Sequence, residues 1–220
     1  MKAAIYQINQ QRARDAPILL DHENDIPTAN AQVYDEVFHA ETDWKDLTEV
    51  VGTLAVQGHP LYRGSSLQPG DVLVLDQNAH FYGWEGFMDV TFDQSQAMKP
   101  DNLLRVVYVE PNKPAMEAEL GPDLKYLQKA VGGLIECVYN GDGTILVCND
   151  EGKLIGMEGN RRLSNGSVIA GPFFVVGDGG ENFRSLTDRE TQRYLQRFAE
   201  PEQIPQEEVQ ADMGFRIYSF

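Results

Sequence analysis

Hydrophobic and polar positions alternate along residues 1–8, Met1-Lys2-Ala3-Ala4-Ile5-Tyr6-Gln7-Ile8, and this predicts a strand over Ala4–Ile8. Within Ala31–Ala40, Val33, Tyr34, Val37 and Phe38 fall at spacings that fit either a helix or a strand. Leu47, Val50, Val51 and Leu54 follow at i, i+3, i+4 and i+7, one face of a helix that Asp43 would cap. Asp46 and Glu49 lie near its start, where the helix dipole favours acids. From Pro60 the chain is rich in turn residues until the apolar run Asp71-Val72-Leu73-Val74-Leu75, a short strand. Further strands are predicted at His80–Trp84 and Phe87–Phe92, with Asp76-Gln77-Asn78 joining the first pair.

The polar stretch from Asp93 to Asn102, with Pro100 and no apolar period, predicts a linker, centred on 96–102. Beyond it, Leu104–Val109 is a strand ended by Glu110-Pro111. A helix opens at Pro122 or Asp123, with Leu124, Leu127, Ala130 and Val131 on one side and Gly132-Gly133 as its stop. Leu134–Tyr139 and Thr144–Asn149 flank Asn140-Gly141-Asp142-Gly143, a hairpin signal. Ser167–Val176 is another strand, with Gly171-Pro172 marking a bulge or an edge. Thr187-Asp188-Arg189-Glu190 is a capping box for a helix to about Ala199, whose Tyr194, Leu195 and Phe198 would pack on the sheet. The expected architecture is therefore α+β: one domain over 1–95 and a second over 103–200. The second is a mainly antiparallel sheet in β-α-β-β-β-α order. Residues 201–220 form either a mobile tail or a docked last strand through Phe215 and Ile217.

Charge narrows the function classes. The net charge is −16 over 220 residues, with 15 acids against 6 bases in residues 1–100 and 19 against 12 in 101–220. Phosphate contact needs clustered Lys and Arg, so this balance argues against direct nucleic-acid binding and for a soluble surface or one complementary to a basic protein groove. No apolar run approaches the roughly 20 residues of a membrane helix, and residues 1–8 lack the apolar core of a signal peptide. The expected location is the cytoplasm, with no membrane partner. Cys137 and Cys148 fall on the predicted hairpin, on one face if its turn centres on Gly141-Asp142. They are read as two small buried hydrophobes rather than a disulfide or half a metal site. His22, His39, His59 and His80 have no ligand spacing, so no metal is expected.

Two stretches resemble known families. Pro60, Arg63-Gly64, Ser66-Leu67, Asp71-Val72, Tyr82 and Gly86-Phe87, with Tyr34 and Val37-Phe38 upstream, resemble the YodL-like domain over about residues 3–93. Gln68-Pro69-Gly70 departs from that pattern and affects the shape of the loop. A second set spans about 103–198: Val109-Glu110-Pro111, Leu127, Val131-Gly132-Gly133, Ile135-Glu136, Cys148-Asn149, Glu151-Gly152-Lys153-Leu154, Asn160-Arg161, Ala170-Gly171 and Ser185-Leu186-Thr187-Asp188. It resembles a domain family of unknown function from phage and integrative-element proteins. Both resemblances imply a mobile-element protein working in a bacterial host cell, and neither brings a catalytic activity.

The most concentrated chemistry is the run from Cys148 to Arg162, which sets Asn149, Lys153, Asn160, Arg161 and Arg162 around chain-bending positions in an acidic background. These cations and amides either pair locally with Asp150, Glu151 and Glu158 or clamp an anion such as a nucleotide phosphate. If structural, Asn149 bonds backbone in the turn and Arg161 lies in a buried pair with a carboxylate. Tyr62, Arg63, Ser66 and Asp71 are further candidate contacts on the first domain. His59, Ser65-Ser66 and Asp71 include the residue types of a nucleophilic triad, but the loop has no strand-to-helix elbow, and a hydrogen-bonded turn is the better reading. The glycine pairs match no phosphate-binding fingerprint, and no carboxylate pattern defines an acid–base pair. The chain is thus expected to be a non-enzymatic mobile-element accessory protein without a cofactor. Its acidic, nucleic-acid-mimicking surface would inhibit a host defence or restriction component. The alternative is a nucleotide or small-anion binder using Asn149–Arg162.

Overall fold

In the computed structural model, which describes residues 1–16, 19–23, 25–56 and 59–213, the chain is α+β and divides into two units, Met1–Asn102 and Leu103–Phe220. The first contains β1 (Lys2–Ile8), α1 (Gln10–Asp15), β2 (Leu20–Asp21), β3 (Thr28–Ala29), β4 (Tyr34–Glu41), α2 (Leu47–Val56), β5 (Val72–Leu75), β6 (Asn78–Gly83) and β7 (Gly86–Val90). Their antiparallel order is β4-β1-β5-β6-β7, while β2 and β3 pair separately. Ala3, Ala4, Ile5 and Tyr6 are all buried, so the first strand lies inside this sheet, with Ile5 opposite Phe38 on one side and Leu73 on the other.

Several boundaries differ from the sequence expectation. The ambiguous Val33–Phe38 set is strand: the inward positions Tyr34, Glu36, Phe38 and Ala40 alternate along β4. Helix α2 is opened by Asp46 rather than Asp43. The Asp46 carboxylate accepts the N–H groups of Thr48 (2.9 Å) and Glu49 (3.0 Å), and Glu49 reaches back to the Lys45 N–H (2.8 Å). The β5–β6 turn is two residues, not three: Asp76 and Gln77 take φ of 54° and 126°, and Asn78 already pairs with Leu75. The expected linker is tied to the first unit. Asp93 caps a 3-10 turn at Gln94–Gln96, the Met98 N–H donates to Tyr34 O (2.8 Å), and the Glu36 N–H donates to Met98 O (2.8 Å).

The second unit contains β8 (Leu104–Val109), β9 (Met116–Leu120), α3 (Leu124–Val131), β10 (Ile135–Tyr139), β11 (Thr144–Asn149), β12 (Gly159–Arg162), β13 (Val168–Ala170), β14 (Phe173–Asp178), β15 (Phe183–Arg184), α4 (Asp188–Arg197) and α5 (Gln206–Ala211). The main antiparallel order is β10-β11-β14-β8-β9, with β15 against β14. Both faces of its middle are covered. Val107, Val109, Leu146, Cys148, Phe173 and Val175 pack with Tyr194 and Phe198 of α4. From the intervening positions, Tyr108 donates to Ala130 O of α3 (3.0 Å). Two-sided burial explains why β11 and β14 are continuous apolar runs without alternation.

The α3 stop and the α4 capping box stand as expected: Gly132 adopts φ 75°, and Thr187 and Glu190 bond each other's backbone N–H groups. Leu124, however, is 56% exposed and lies off the buried face of α3. The sequence order omits four elements. Strand β9 alternates Met116, Ala118 and Leu120 with two glutamates, β12 lies inside the expected turn, and β15 and α5 are short. Ser167–Val176 is two strands in two sheets, because β13 pairs with β12 and Gly171-Pro172 turns the chain into β14. Gly171 has φ 79°, and a Cβ there would run into Met157 Sδ. Cys137 and Cys148 lie on opposite faces, since Cys148 pairs with Glu136 and Cys137 with Val147; Cys137 is exposed and both thiols are free. Of the expected tail, 206–211 is α5 with Val209 fully buried, and Phe215 and Ile217 lie outside the described residues. No helix among the described residues is long and apolar enough to cross a membrane.

Candidate functional site

The stop of α3 is the first component of the site. Asn149, at the end of β11 and 6% exposed, donates from Nδ2 to Val131 O (3.2 Å), satisfying a carbonyl at the helix terminus. Its Oδ1 accepts the Glu151 N–H (2.9 Å), so the following turn starts from the same amide. Gly133 leaves room for it; a Cβ there would stand 2.5 Å from Asn149 Nδ2.

Asn160 and Arg161 of β12 are both buried. Asn160 Nδ2 donates to Val109 O (3.0 Å) and Gly171 O (2.8 Å), joining the end of β8 to the β13–β14 corner. Arg161, 1% exposed, donates from Nη1 to Asn160 O (3.1 Å) and Asn160 Oδ1 (2.9 Å), and from Nη2 to Lys113 O (2.8 Å) and Phe198 O (3.1 Å). The expected carboxylate partner is replaced by carbonyl and amide oxygens. These oxygens meet both terminal nitrogens of the planar guanidinium, while the buried Nε is left without a hydrogen bond, and burial pulls the guanidinium pKa down from its ordinary value.

Lys153 and Arg162 lie nearer the surface, and their acids come from neither Asp150, Glu151 nor Glu158. Lys153 Nζ reaches Asp212 Oδ2 at 2.7 Å. The same oxygen accepts from Ser167 Oγ (2.8 Å) and the Val168 N–H (2.8 Å). Burial alone would raise the Asp212 pKa, but these donors outweigh it and lower the carboxyl. Arg162 forks onto Glu208 (2.7 and 2.6 Å) and reaches Glu202 at 2.8 Å, and these bonds raise its pKa further. Glu158 instead accepts from Asn112 Nδ2 (2.6 Å). Ile204 and Val209 anchor the acidic segment by packing with Val168, Ala170 and Met157. The Pro205-Gln206-Glu207-Glu208 helix start is the sequence signal that could have placed these partners.

Beside Asp212, a cleft of about 520 Å³ is lined by Val138, Cys148, Asn149, Lys153, Leu163 and Ile169, among others. Burial pushes the Cys148 thiol up to about 12, so it stays protonated at neutral pH and is a poor nucleophile. The cleft therefore offers an apolar floor and a carboxylate cradle at its rim rather than an activated catalytic group.

In the first unit, Tyr62, Arg63 and Asp71 point inward, and Ser66 is exposed. Asp71 Oδ2 accepts from Gln7 Nε2 (2.8 Å) and the Gln68 N–H (2.9 Å). Burial raises its pKa against the opposing effect of these bonds. Gln7 also accepts the Ser65 N–H (2.9 Å), and Tyr62 donates to Ser65 O (2.6 Å). Gly64 fits between them, since a Cβ would come within 2.5 Å of Gln7 Oε1. Arg63 faces Glu36 at 3.7 Å. The Leu61 N–H donates to His59 Nδ1 (3.2 Å), so these residues organise the loop as a hydrogen-bonded turn. Sequence reading passed over Gln7, because one polar residue in an alternating strand carries no mark of burial.

No curated protein and no solved structure matches the chain. Residues 104–199 match the model of a family described as a domain of unknown function (DUF3846), so β8 through α4 form such a domain, and Glu202, Glu208 and Asp212 follow it.

Proposed function

We propose that this chain is a non-enzymatic accessory protein of a phage or conjugative element, acting in the cytoplasm of its bacterial host. In this reading it inhibits a defence or restriction component by placing an acidic surface in a basic, nucleic-acid-binding groove. The YodL-like resemblance of the first unit and the phage and integrative-element setting of the second supply the context. The single observation that carries the mechanism is charge. The net charge is −16, and many of its cations are neutralised within the protein: Arg12 by Asp35, Arg105 by Asp188, Lys153 by Asp212, Arg162 by Glu202 and Glu208, and Arg184 by Glu190. With those cations held, the exposed field is dominated by acids such as Glu41, Glu85, Asp123, Glu136 and Glu207. Such a field steers a basic partner at long range and repels nucleic acid.

The alternative, nucleotide binding through Asn149–Arg162, is disfavoured by the same geometry, since Asn149, Asn160 and Arg161 are buried in bonds to backbone and Lys153 and Arg162 already hold carboxylates. The test is capture from host lysate on the immobilised full chain at about 50 and about 300 mM salt, since exposed charges are screened over about 10 Å at 0.1 M. The expected result is a basic nucleic-acid-binding protein, released by the higher salt and displaced by duplex DNA. Recovery of an acidic partner, or retention indifferent to salt and DNA, would overturn the reading.

A further inference from the structure

We propose that Lys153, Ser167, the Val168 N–H and Arg162 form a binding site for an acidic amphipathic peptide, and that the 202–212 segment is its occupant in cis. Three observations converge on it. The donors are arranged as a receptor for carboxylates: an ammonium, a hydroxyl and a backbone N–H meet one oxygen of Asp212, and a guanidinium fork takes both oxygens of Glu208. Between the charged contacts lies an apolar seat, where Ile204 and Val209 enter a cluster made by Val168, Ala170 and Met157. Glu202 and Ile204 lie on the extended stretch before the short helix Gln206–Ala211, Glu208 and Val209 lie on that helix, and Asp212 caps its end, so the acids flank the apolar anchors along the segment.

The third observation is where the parts come from. Lys153, Arg162, Ser167 and Val168 lie within residues 104–199, the span that matches DUF3846, whereas all the acids and both anchors of the segment follow it. The domain supplies the receptor and the appended segment supplies the ligand. Beyond Asp212 the surface continues into the cleft over Val138, Cys148 and Leu163, so a peptide longer than the segment has further surface to cover. A cis occupant lowers the apparent affinity for an outside peptide by the fraction of time the site is closed. This inference is independent of the acidic-inhibitor reading, because it concerns the basic surface that the segment covers.

The experiment uses the full chain and a fluorescently labelled peptide with the sequence of residues 200–213. In the variant Glu202→Gln, Glu208→Gln, Asp212→Asn the cis acids can no longer hold Lys153 and Arg162. Fluorescence anisotropy is expected to show the triple variant binding the peptide at least about tenfold more tightly than the parent, as the closed fraction falls. Adding Lys153→Ala should abolish the gain, a peptide with the same three neutralisations should bind neither protein, and millimolar inorganic phosphate should leave the peptide bound. A folded triple variant that ignores the peptide, or takes the neutralised peptide equally well, would overturn the proposal; displacement by phosphate would overturn the peptide assignment. If the triple variant does not fold, hydrogen exchange on the parent decides. The amides of 207–212 should exchange well before those of α4, and exchange of both only through global unfolding would make the segment a fixed part of the fold.

Discussion

Arg161 donates to the side-chain oxygen of its chain neighbour Asn160 at 2.9 Å, while Asn160 donates to Val109 O and Gly171 O. Two consecutive polar residues of one short strand thus connect the end of β8, the β13–β14 corner and the C-terminus of α4. The pair is a structural joint, fully enclosed by the unit it holds together.

Replacing Arg161 with Ala would remove the Arg161 donors to Asn160 Oδ1, Lys113 O and Phe198 O, of which Phe198 O keeps the Ala115 N–H (3.1 Å). Leaving a buried acceptor without its donor costs about 1–3 kcal/mol. The expected outcome is a large drop in melting temperature, and Arg161→Lys should recover little, because an ammonium cannot reproduce the fork. A melt of Arg161→Ala within about 2 °C of the parent, less than about 1 kcal/mol for a domain of this size, would contradict the assignment.

Asn149 separates two bonds by chemistry. Asn149→Asp keeps an acceptor for the Glu151 N–H but sets a carboxylate oxygen against Val131 O, where the native amide donates. The Asp variant should therefore lose about 1–3 kcal/mol at neutral pH, close to the loss in Asn149→Ala. Denaturant titration measures both, and an Asp variant as stable as the parent would show that the helix-end bond contributes nothing.

Acid stability should depend on Glu190. Arg184 and the Thr187 backbone hold its pKa at about 2, below its ordinary value of 4.5. The folded value lies below the unfolded one, so its contribution is full above about pH 4.5 and vanishes as pH falls toward about 2. Glu190→Gln should be less stable than the parent at pH 7, with the gap closing between about pH 4.5 and pH 2. Urea midpoints across that range test the sign.

Asp71 should behave in the opposite sense. Burial raises its pKa above the ordinary value of 3.8, so ionisation penalises the folded state and stability falls as pH rises through the window just above that value. Asp71→Asn retains an acceptor for Gln7 or Gln68 and should flatten that part of the profile. Asp71→Leu takes the acceptor from the Gln68 N–H and leaves Gln7 Nε2 only Ser65 O (3.3 Å) and Ser66 O (3.4 Å), and should cost about 1–3 kcal/mol. Comparing urea midpoints of the three proteins near pH 4 and pH 7 distinguishes these effects.

Some of the site was legible because its chemistry is local. Asn149 bonding two residues ahead, Gly132 ending α3 and Thr187 with Glu190 opening α4 each involve groups within a turn or two of one another. The partners of Lys153 and Arg162 were not legible. Asp212 and Glu208 lie 59 and 46 residues away, and nearer acids at Asp150, Glu151 and Glu158 offered an equally plausible pairing. Strand β9 escaped because its alternate positions are glutamates, Glu117 and Glu119, residues that strands usually avoid.

By itself the sequence determined the α+β class, most elements with strong periodicity or capping chemistry, and the acidic character of the protein, since each depends on spacing, turn residues or simple charge. Tertiary structure decided which polar residues face inward and what satisfies them. Arg161 and Asn160 are hydrophilic by composition yet fully enclosed, because carbonyls from β8, the β13–β14 corner, Lys113 and the end of α4 converge on them. That convergence arises only when distant strands and helices pack, and no local pattern around residue 160 encodes it.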